Sequence, residues 1–375
     1  MTAEVPQLAG TEEHPHARMV LGSGLASGSP SHAYLFHGPP GTGKRTAARA
    51  LAAELLAEGE EDREGARTRA LHGTHPDLTW VRPTGAHVMR VSDVEGPVVG
   101  AAGRTPFESK RRVFVLERVD TMNDEVANRL LKTLEEPPEF VHLILLTDQL
   151  GRVLETVVSR CQLVRFDPLP AERIAELLEE EGVEPERARA SARLSLGNAS
   201  RARFLASGEG MALRGEVERL VFDGLGAIHM EEPWRGLLQR AEERREAAEA
   251  DVEERKRERL EQEPRGRERS ALEREFDDTA KRDGRRARTE ILELGLELAA
   301  LTFRDLVADS AGAHAAVLAT DRIADLASAA EDRDPVRLRQ AAEACEDTRS
   351  SLQLNVTEEL ALSALTFRLR ELVGA

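Results

Sequence analysis

The sequence predicts an α/β domain built on a parallel sheet, followed by regions that are entirely helical. Short apolar runs alternate with helical patterns up to about residue 166, which is typical of βαβ units with right-handed crossovers. From Asp167 onwards the strand signals stop and only helical patterns follow. A glycine-rich loop that ends in Gly43-Lys44 joins the first predicted strand to a predicted helix, the context in which phosphate-binding loops occur.

Five runs are predicted to be buried strands, because each is a short stretch of about four to seven apolar-rich residues and several are bounded by Gly, Pro or Asp. They are AYLFHG (33–38), DLTWVRP (77–83), RRVFVLE (111–117), VHLILLTD (141–148) and CQLVRFDPL (161–169). Helical patterns such as TAARALAAELLAEG and NDEVANRLLKTLEEPP separate them, and the second ends at a proline pair. We therefore assign residues 1–166 to the α/β domain.

The remaining chain is predicted to form a small helical domain at 167–210 and a larger all-helical domain at 211–375. Residues 241–290 are mostly Glu, Arg, Asp and Lys, and Pro264 and Gly266 interrupt them, which predicts a hairpin of two charged helices. A coiled-coil-like seam is expected in its second arm, because apolar residues recur every seven positions with a second set offset by four. These residues are Ala280, Ala287, Leu294 and Leu301, with Ile291 and Leu298. We favour a solvated helical arm over a binding tail.

Composition and charge argue against several kinds of function. Aromatic residues are 3% of the 375, so stacking platforms for single-stranded nucleic acid are not expected. The formal net charge of −16 argues against non-specific coating of DNA, although it is compatible with a local basic patch. Cys161 and Cys345 are the only cysteines, too few for a disulfide framework or a four-cysteine zinc site. Neither a long uncharged apolar run nor a signal-peptide pattern is present, so we expect a cytoplasmic protein.

The glycine-rich loop has the residue types of a phosphate cradle. Glycines let backbone N–H groups converge on phosphate oxygens, the helix N-terminus adds positive potential, and the lysine neutralises charge. The alternative is a glycine-rich turn with no ligand, but the flanking strand and helix and the lysine favour a phosphate-binding loop. The candidate nucleotide-binding residues are Gly38, Pro39, Pro40, Gly41, Thr42, Gly43, Lys44, Arg45 and Thr46.

Two positions that hydrolysis needs are altered. A Ser or Thr hydroxyl normally follows the lysine and binds Mg²⁺, but Arg45 stands there, and Thr46 points about 100° away along the helix. The acidic pair expected after the third strand is replaced by Glu117-Arg118, with Asp120 two residues further on. Glu117 could hold a metal at longer reach, but Arg118 cannot act as a base. These losses argue against intrinsic ATP hydrolysis and leave ATP binding without turnover, and the role of Mg²⁺, open.

A family resemblance accounts for several motifs outside the loop. SHAYLFHGPPGTGK, HPDL, NRLLKTLEEPP, LLTDQLGRVLETVVSRCQLVRF and LGNASRA occur in the order seen in bacterial DNA polymerase III clamp-loader subunits, which are AAA+ proteins. The chain resembles the delta-prime family, with gamma/tau as the nearest relative, over about residues 15–210. NVTEELALSALTFRL (355–369) looks like the last collar helix of these subunits. The resemblance implies a RecA-like AAA+ domain, a helical lid at 167–210 and a collar at 211–375.

The resemblance also implies roles for single residues. In Ser159-Arg160-Cys161, the arginine matches the residue that reaches the γ-phosphate held by a neighbouring subunit, so Arg160 is the candidate arginine finger; the alternative is a surface salt bridge. Thr147 matches the first sensor position and Arg201 the second. Family members commonly carry a four-cysteine zinc module, but the corresponding stretch here contains no cysteine, so no zinc is expected.

The function implied by the resemblance is that of a stator. Such a subunit would join gamma/tau and delta in a hetero-pentamer and offer Arg160 to the ATP of its neighbour. The assembly would then open a sliding clamp and place it on primed DNA. The competing hypothesis is an autonomous, gamma/tau-like AAA+ ATPase that hydrolyses its own Mg-ATP.

Overall fold

A computed structural model describes residues 8–84, 88–226, 231–261, 266–331, 333–352, 354 and 356–374. The chain divides into two compact units, Met1–Pro170 with Gly197–Ser200, and Ala171–Leu196 with Arg201–Ala375. The first boundary, at Pro170, lies a few residues beyond the predicted end of the α/β domain. The separation of the remaining chain into two domains at residue 210 stays a prediction.

The first unit is built on five strands, each of which lies within one of the five predicted runs. They are β1 Ala33–His37, β2 Leu78–Val81, β3 Arg112–Leu116, β4 Val141–Thr147 and β5 Gln162–Arg165. All pairings are parallel, and the strand order is β2-β3-β4-β1-β5. All seven residues of the central strand β4 are buried, because both faces of the sheet are covered. The predicted fold class, an AAA+-type parallel α/β domain followed by helical structure, is confirmed.

Seven α-helices lie in the described part of the first unit. They are α1 Pro15–Ala26, α2 Lys44–Leu56, α3 Arg63–His72, α4 Val91–Val94, α5 Gly100–Ala102, α6 Asp124–Glu135 and α7 Glu155–Val158. Residues of β1 alternate between the two faces: Tyr34 and Phe36 belong to the core beneath α1 and α2, and Leu35 belongs to the core beneath α6. Asn123 begins α6 by accepting a hydrogen bond from the backbone N–H of Val126.

The second unit is helical throughout its described residues. Its α-helices are α8 Ala171–Glu180, α9 Pro185–Leu194, α10 Ala199–Ala206, α11 Gly208–Leu225, α12 Arg235–Glu261, α13 Arg267–Ser310, α14 Ile323–Ala330, α15 Pro335–Leu352 and α16 Glu358–Val373. The first two residues of α10 belong to the first unit. Helix α11 runs through position 210, where the sequence predicts the second domain boundary. Phe303 and Leu296 lie in one apolar core with residues of α11, α15 and α16. None of the described helices is both long and apolar enough to cross a membrane.

The charged segment forms two antiparallel helices, α12 and α13, which extend beyond the predicted 241–290. Lys256 Nζ lies 2.5 Å from Asp277 Oδ1, and Arg288 of α13 pairs with Glu242 of α12. The predicted break at Pro264 lies outside the described residues. The predicted seam contributes to the core of the second unit: Ile291 and Leu298 are buried, and Leu294 and Leu301 pack against it partly buried.

Candidate functional site

The glycine-rich loop lies between β1 and α2 at the carboxyl-terminal edge of the sheet, where parallel α/β domains bind their ligands. Gly41 and Gly43 have φ angles of 75° and 89°, which residues with a side chain rarely adopt. The side chain of Asn198 also lies against Gly41, since a Cβ at position 41 would stand 1.6 Å from its Oδ1. Backbone conformation and a close contact therefore both require glycine at position 41.

Lys44 is the first residue of α2, and its ammonium group is held inside the loop. Nζ donates to the carbonyl oxygens of Gly38 at 2.7 Å and Pro39 at 2.5 Å, and it lies 2.7 Å from Asp148 Oδ1. Burial lowers the pKa of Lys44, and the neighbouring Asp148 opposes that shift. The buried hydroxyl of Thr42 closes the same turn by donating to Pro39. The loop thus holds a cation whose only carboxylate contact, among the described residues, is the half-exposed Asp148.

Arg45 and Glu117 form an ion pair where a phosphate-loop protein would bind its metal. Arg45 Nη2 lies 2.7 Å from Glu117 Oε2; the Arg45 side chain is 63% exposed and that of Glu117 only 2%. Glu117 Oε1 accepts hydrogen bonds from Trp80 Nε1 at 2.6 Å and Arg82 Nε at 3.1 Å. Burial alone would raise the pKa of Glu117, but Arg45 and Arg82 outweigh it and lower that pKa. Glu117 is therefore a fixed anion.

These residues do not fit a bound Mg²⁺. A guanidinium occupies the position after the lysine, and it cannot ligate a cation. The one carboxylate that the sequence offers as a metal ligand at longer reach, Glu117, is engaged by Arg45, Arg82 and Trp80. Thr46 is exposed and packs beside Gly10 rather than replacing the missing hydroxyl. Across the part of the chain that the structure describes, no group of three or more His, Cys, Asp or Glu residues is placed to hold a metal.

Asp120 and Thr147, which sequence reasoning assigned to different motifs, are brought together. Asp120 lies on the 3₁₀ turn Val119–Thr121, and its Oδ1 accepts a 2.8 Å hydrogen bond from the buried Thr147 hydroxyl. Thr147 ends β4 immediately before Asp148, the partner of Lys44. Arg118 precedes the turn with a left-handed φ of 55°, an uncommon conformation for a residue with a side chain. The predicted acidic and first-sensor positions therefore share one edge of the sheet with the loop.

Arg160 lies between α7 and β5. Its Nη1 donates to the backbone oxygen of Thr156 at 2.9 Å and to Ser159 Oγ at 3.3 Å, and its Nη2 pairs with Glu135 at the end of α6. The side chain is 34% exposed. The guanidinium is thus oriented by its own helical turn and retains a face toward solvent. Its role as an arginine finger stays a prediction.

Arg201 belongs to the second unit, where its Nη1 lies 2.6 Å from Glu297 Oε1 on α13. Both side chains are mostly buried. This pair gives the arginine a structural contact within the helical unit. The second-sensor role assigned by resemblance stays a prediction.

Sequence reasoning missed four residues of the site, namely Trp80, Arg82, Asp148 and Asn198. Asp148 could have been found, because it directly follows a buried strand in VHLILLTD and parallel strands end at one edge of the sheet. Trp80 and Arg82 lie at the end of β2, and only the strand order places β2 beside β3 and Glu117. Asn198 follows α8 and α9 in the chain but belongs to the first unit. It lies in the motif LGNASRA, and the sequence did not predict its contact with Gly41.

Comparisons with known proteins identify relatives of this chain. Residues 13–170 match the family described as DNA polymerase III, delta subunit. The chain is 36% identical over 188 residues to DNA polymerase III subunit delta′ of Bacillus subtilis, covering 49% of this chain and 56% of that protein. It is 40% identical over 146 residues to subunit delta′ of Pseudomonas aeruginosa, covering 37% and 44%. It is also 33% identical over 158 residues to the tau subunit of B. subtilis, covering 40% and 27%. The chain therefore spans about half the length of these delta′ relatives.

The parallel sheet, the glycine-rich loop and its lysine define the first unit as a parallel α/β domain of the phosphate-loop type. More narrowly, residues 13–170 match the DNA polymerase III delta-subunit family, and the resemblance to delta-prime subunits expected from the sequence is confirmed over this region.

Proposed function

We propose that this chain is a clamp-loader subunit that does not hydrolyse ATP itself and supplies Arg160 to the ATP of a neighbouring subunit. The Arg45–Glu117 ion pair is the observation that carries this proposal. Hydrolysis in phosphate-loop proteins needs a metal bridging the terminal phosphates and a residue that orients the attacking water. This chain has a guanidinium in place of the metal ligand, and Arg118 follows Glu117 where a base would stand.

Arg160 has the properties that a trans-acting group needs. Two hydrogen bonds through Nη1 fix the guanidinium, and a third of the side chain is exposed. A planar, permanently charged fork can stabilise the negative charge that spreads over a transferring phosphoryl group. A γ-phosphate would compete with Glu135, the carboxylate that now holds Nη2.

The partner subunits are inferred from the relatives that this chain matches. The matched relatives include delta′ and tau subunits of DNA polymerase III, which supports assembly with gamma/tau and delta in a hetero-pentamer. The helices α11–α16 would serve as the collar of that assembly. The complex would act on a sliding clamp and primed DNA in the cytoplasm. Because this chain is acidic, its own contacts with DNA would be local and limited to the DNA backbone.

The proposal is tested by ATPase measurements on the purified chain and on a loader reconstituted with it. We expect no turnover by the chain alone. Arg160→Ala is expected to abolish hydrolysis at the neighbouring site, because a trans arginine is worth about 10³–10⁵ in rate. Arg160→Lys keeps the charge but loses the fork, so it should restore little activity.

Arg165→Ala is the matched control. This arginine lies on β5, is 59% exposed and pairs with Asp167, so its loss should leave loader activity unchanged. Gel filtration establishes that each variant still assembles. Robust turnover by the isolated chain would instead support the autonomous ATPase, and full activity in an assembled Arg160→Ala loader would refute the trans role.

A further inference from the structure

The first turn of α2 carries its own cation at the position of the missing metal. We propose that the phosphate loop binds the polyphosphate chain of a nucleotide without a divalent cation, with the Arg45 guanidinium in the metal's place. This inference concerns the chain's own loop and does not depend on Arg160.

The ion pair joins the two positions that share a metal in phosphate-loop proteins. There, the metal is held by the residue after the lysine and by an acidic residue at the end of a neighbouring strand. Here Arg45 follows Lys44 directly, and Glu117 directly follows β3. Their 2.7 Å contact places a positive charge between the loop and that carboxylate. The charge that a metal would supply to the terminal phosphates is therefore already part of the chain.

The arrangement of the pair leaves the arginine able to accept a ligand. Glu117 is buried and is held on its other oxygen by Trp80 and Arg82, so it is a fixed anchor. Among the residues that the structure describes, no donor is aligned with its Oε2 for a hydrogen bond, and the contact to Arg45 is an ion pair. Arg45 is the exposed member at 63%. A guanidinium has five N–H donors in a fork that matches phosphate oxygens, so it can contact a phosphate while remaining beside Glu117.

The rest of the cradle suits a polyphosphate. Gly41 and Gly43 have the left-handed φ angles that allow the N–H groups of such a loop to converge on an anion, and Gly43 begins the thirteen-residue helix α2. Lys44 is buried at the base of the loop, and its carboxylate partner Asp148 is 43% exposed. An incoming phosphate can therefore replace Asp148 as the counter-ion of Lys44. Two cations, Lys44 and Arg45, then face the phosphate chain.

Isothermal titration of the full chain with ATP and with ADP, once in MgCl₂ and once in EDTA, tests the proposal. We expect dissociation constants that agree within about twofold between the two buffers, and a rise in melting temperature with ADP in EDTA. Arg45→Ala should weaken binding at least about tenfold in both buffers, the loss expected for one charge-assisted hydrogen bond. Arg45→Lys should weaken it less, because it keeps the charge without the fork.

Arg63→Ala is the control, because Arg63 is a similarly exposed arginine (57%) paired with Glu54. It should bind both nucleotides as the unsubstituted chain does. If Arg45→Ala fails to fold, the buffer comparison on the unsubstituted chain and the Arg45→Lys titration still decide the question. Binding that requires Mg²⁺, the absence of binding at millimolar nucleotide, or unchanged binding by a folded Arg45→Ala variant would each overturn the proposal.

Discussion

His142 is a buried neutral histidine in the central strand, and it should make the first unit unstable in mild acid. The ring is 1% exposed. Its Nε2 lies 2.8 Å from Arg111 Nη1, which can only donate, so Nε2 accepts and Nδ1 carries the proton that it donates to the Ser31 carbonyl at 2.9 Å. Protonation would place a second positive charge against Arg111. Burial, together with Arg111 and His32, lowers the pKa of His142 from 6.5 to about 4, although Ser31 opposes this.

The sign and size of the effect follow from this pKa. Between pH 6.5 and 4 the unfolded chain is protonated at His142 and the folded protein is not, so the unfolded state binds more protons and stability falls as pH falls. The contribution of His142 is intact above pH 6.5 and fully lost below about pH 4. A decrease in the free energy of unfolding of about 2 kcal/mol is expected from this residue between pH 7 and pH 5.

Denaturant unfolding at the two pH values, followed by tryptophan fluorescence, measures this decrease. The sequence contains two tryptophans, so Trp234→Phe leaves one, Trp80. Trp80 lies on β2, in the same unit as His142, and its fluorescence reports the unfolding of that unit. His142→Asn in that background keeps one donor and one acceptor but cannot titrate. The difference in pH dependence between the two proteins should be about 2 kcal/mol. Equal pH dependence, or a His142 proton resonance that titrates near pH 6.5, would refute the reasoning.

Two further predictions concern the two cysteine thiols and one buried carboxylate. Burial raises the pKa of the Cys161 and Cys345 thiols to about 12, so at pH 8 a disulfide reagent should label neither in the folded protein and both after unfolding; rapid labelling of the native chain would contradict this. The fully buried Asp77 carboxylate accepts three backbone N–H groups from residues 107–109. Asp77→Ala should lower the free energy of unfolding by about 3 kcal/mol or more and speed hydrogen exchange there. Asp62→Ala, which removes the exposed N-cap of α3, should lower the free energy of unfolding by only about 1 kcal/mol. Equal losses in the two variants would contradict the larger contribution expected of the buried Asp77.

The elements that sequence predicted well depend on local patterns. Each of the five strands lies inside its predicted run, because a buried parallel strand needs a short continuous apolar segment whatever its neighbours are. The proline pair at the end of NDEVANRLLKTLEEPP correctly predicts that α6 ends just before it, since proline cannot continue a helix. The boundary placed at residue 210 is a different case: helix α11 runs through this position, and the division of the helical chain into two domains there stays a prediction.

The sequence by itself determined the parallel α/β class, the phosphate loop with its lysine, and the loss of the metal-binding hydroxyl at Arg45. Each of these three features depends on residues that are neighbours in the sequence, so the local pattern of residue types is enough to predict it. Only the tertiary structure decided what Arg45 does instead. Its contact with Glu117, and the support of that carboxylate by Trp80 and Arg82, depend on β2 lying beside β3 and on all the strands ending at one edge. Strand order is set by packing between distant segments, and no run of neighbouring residues encodes it.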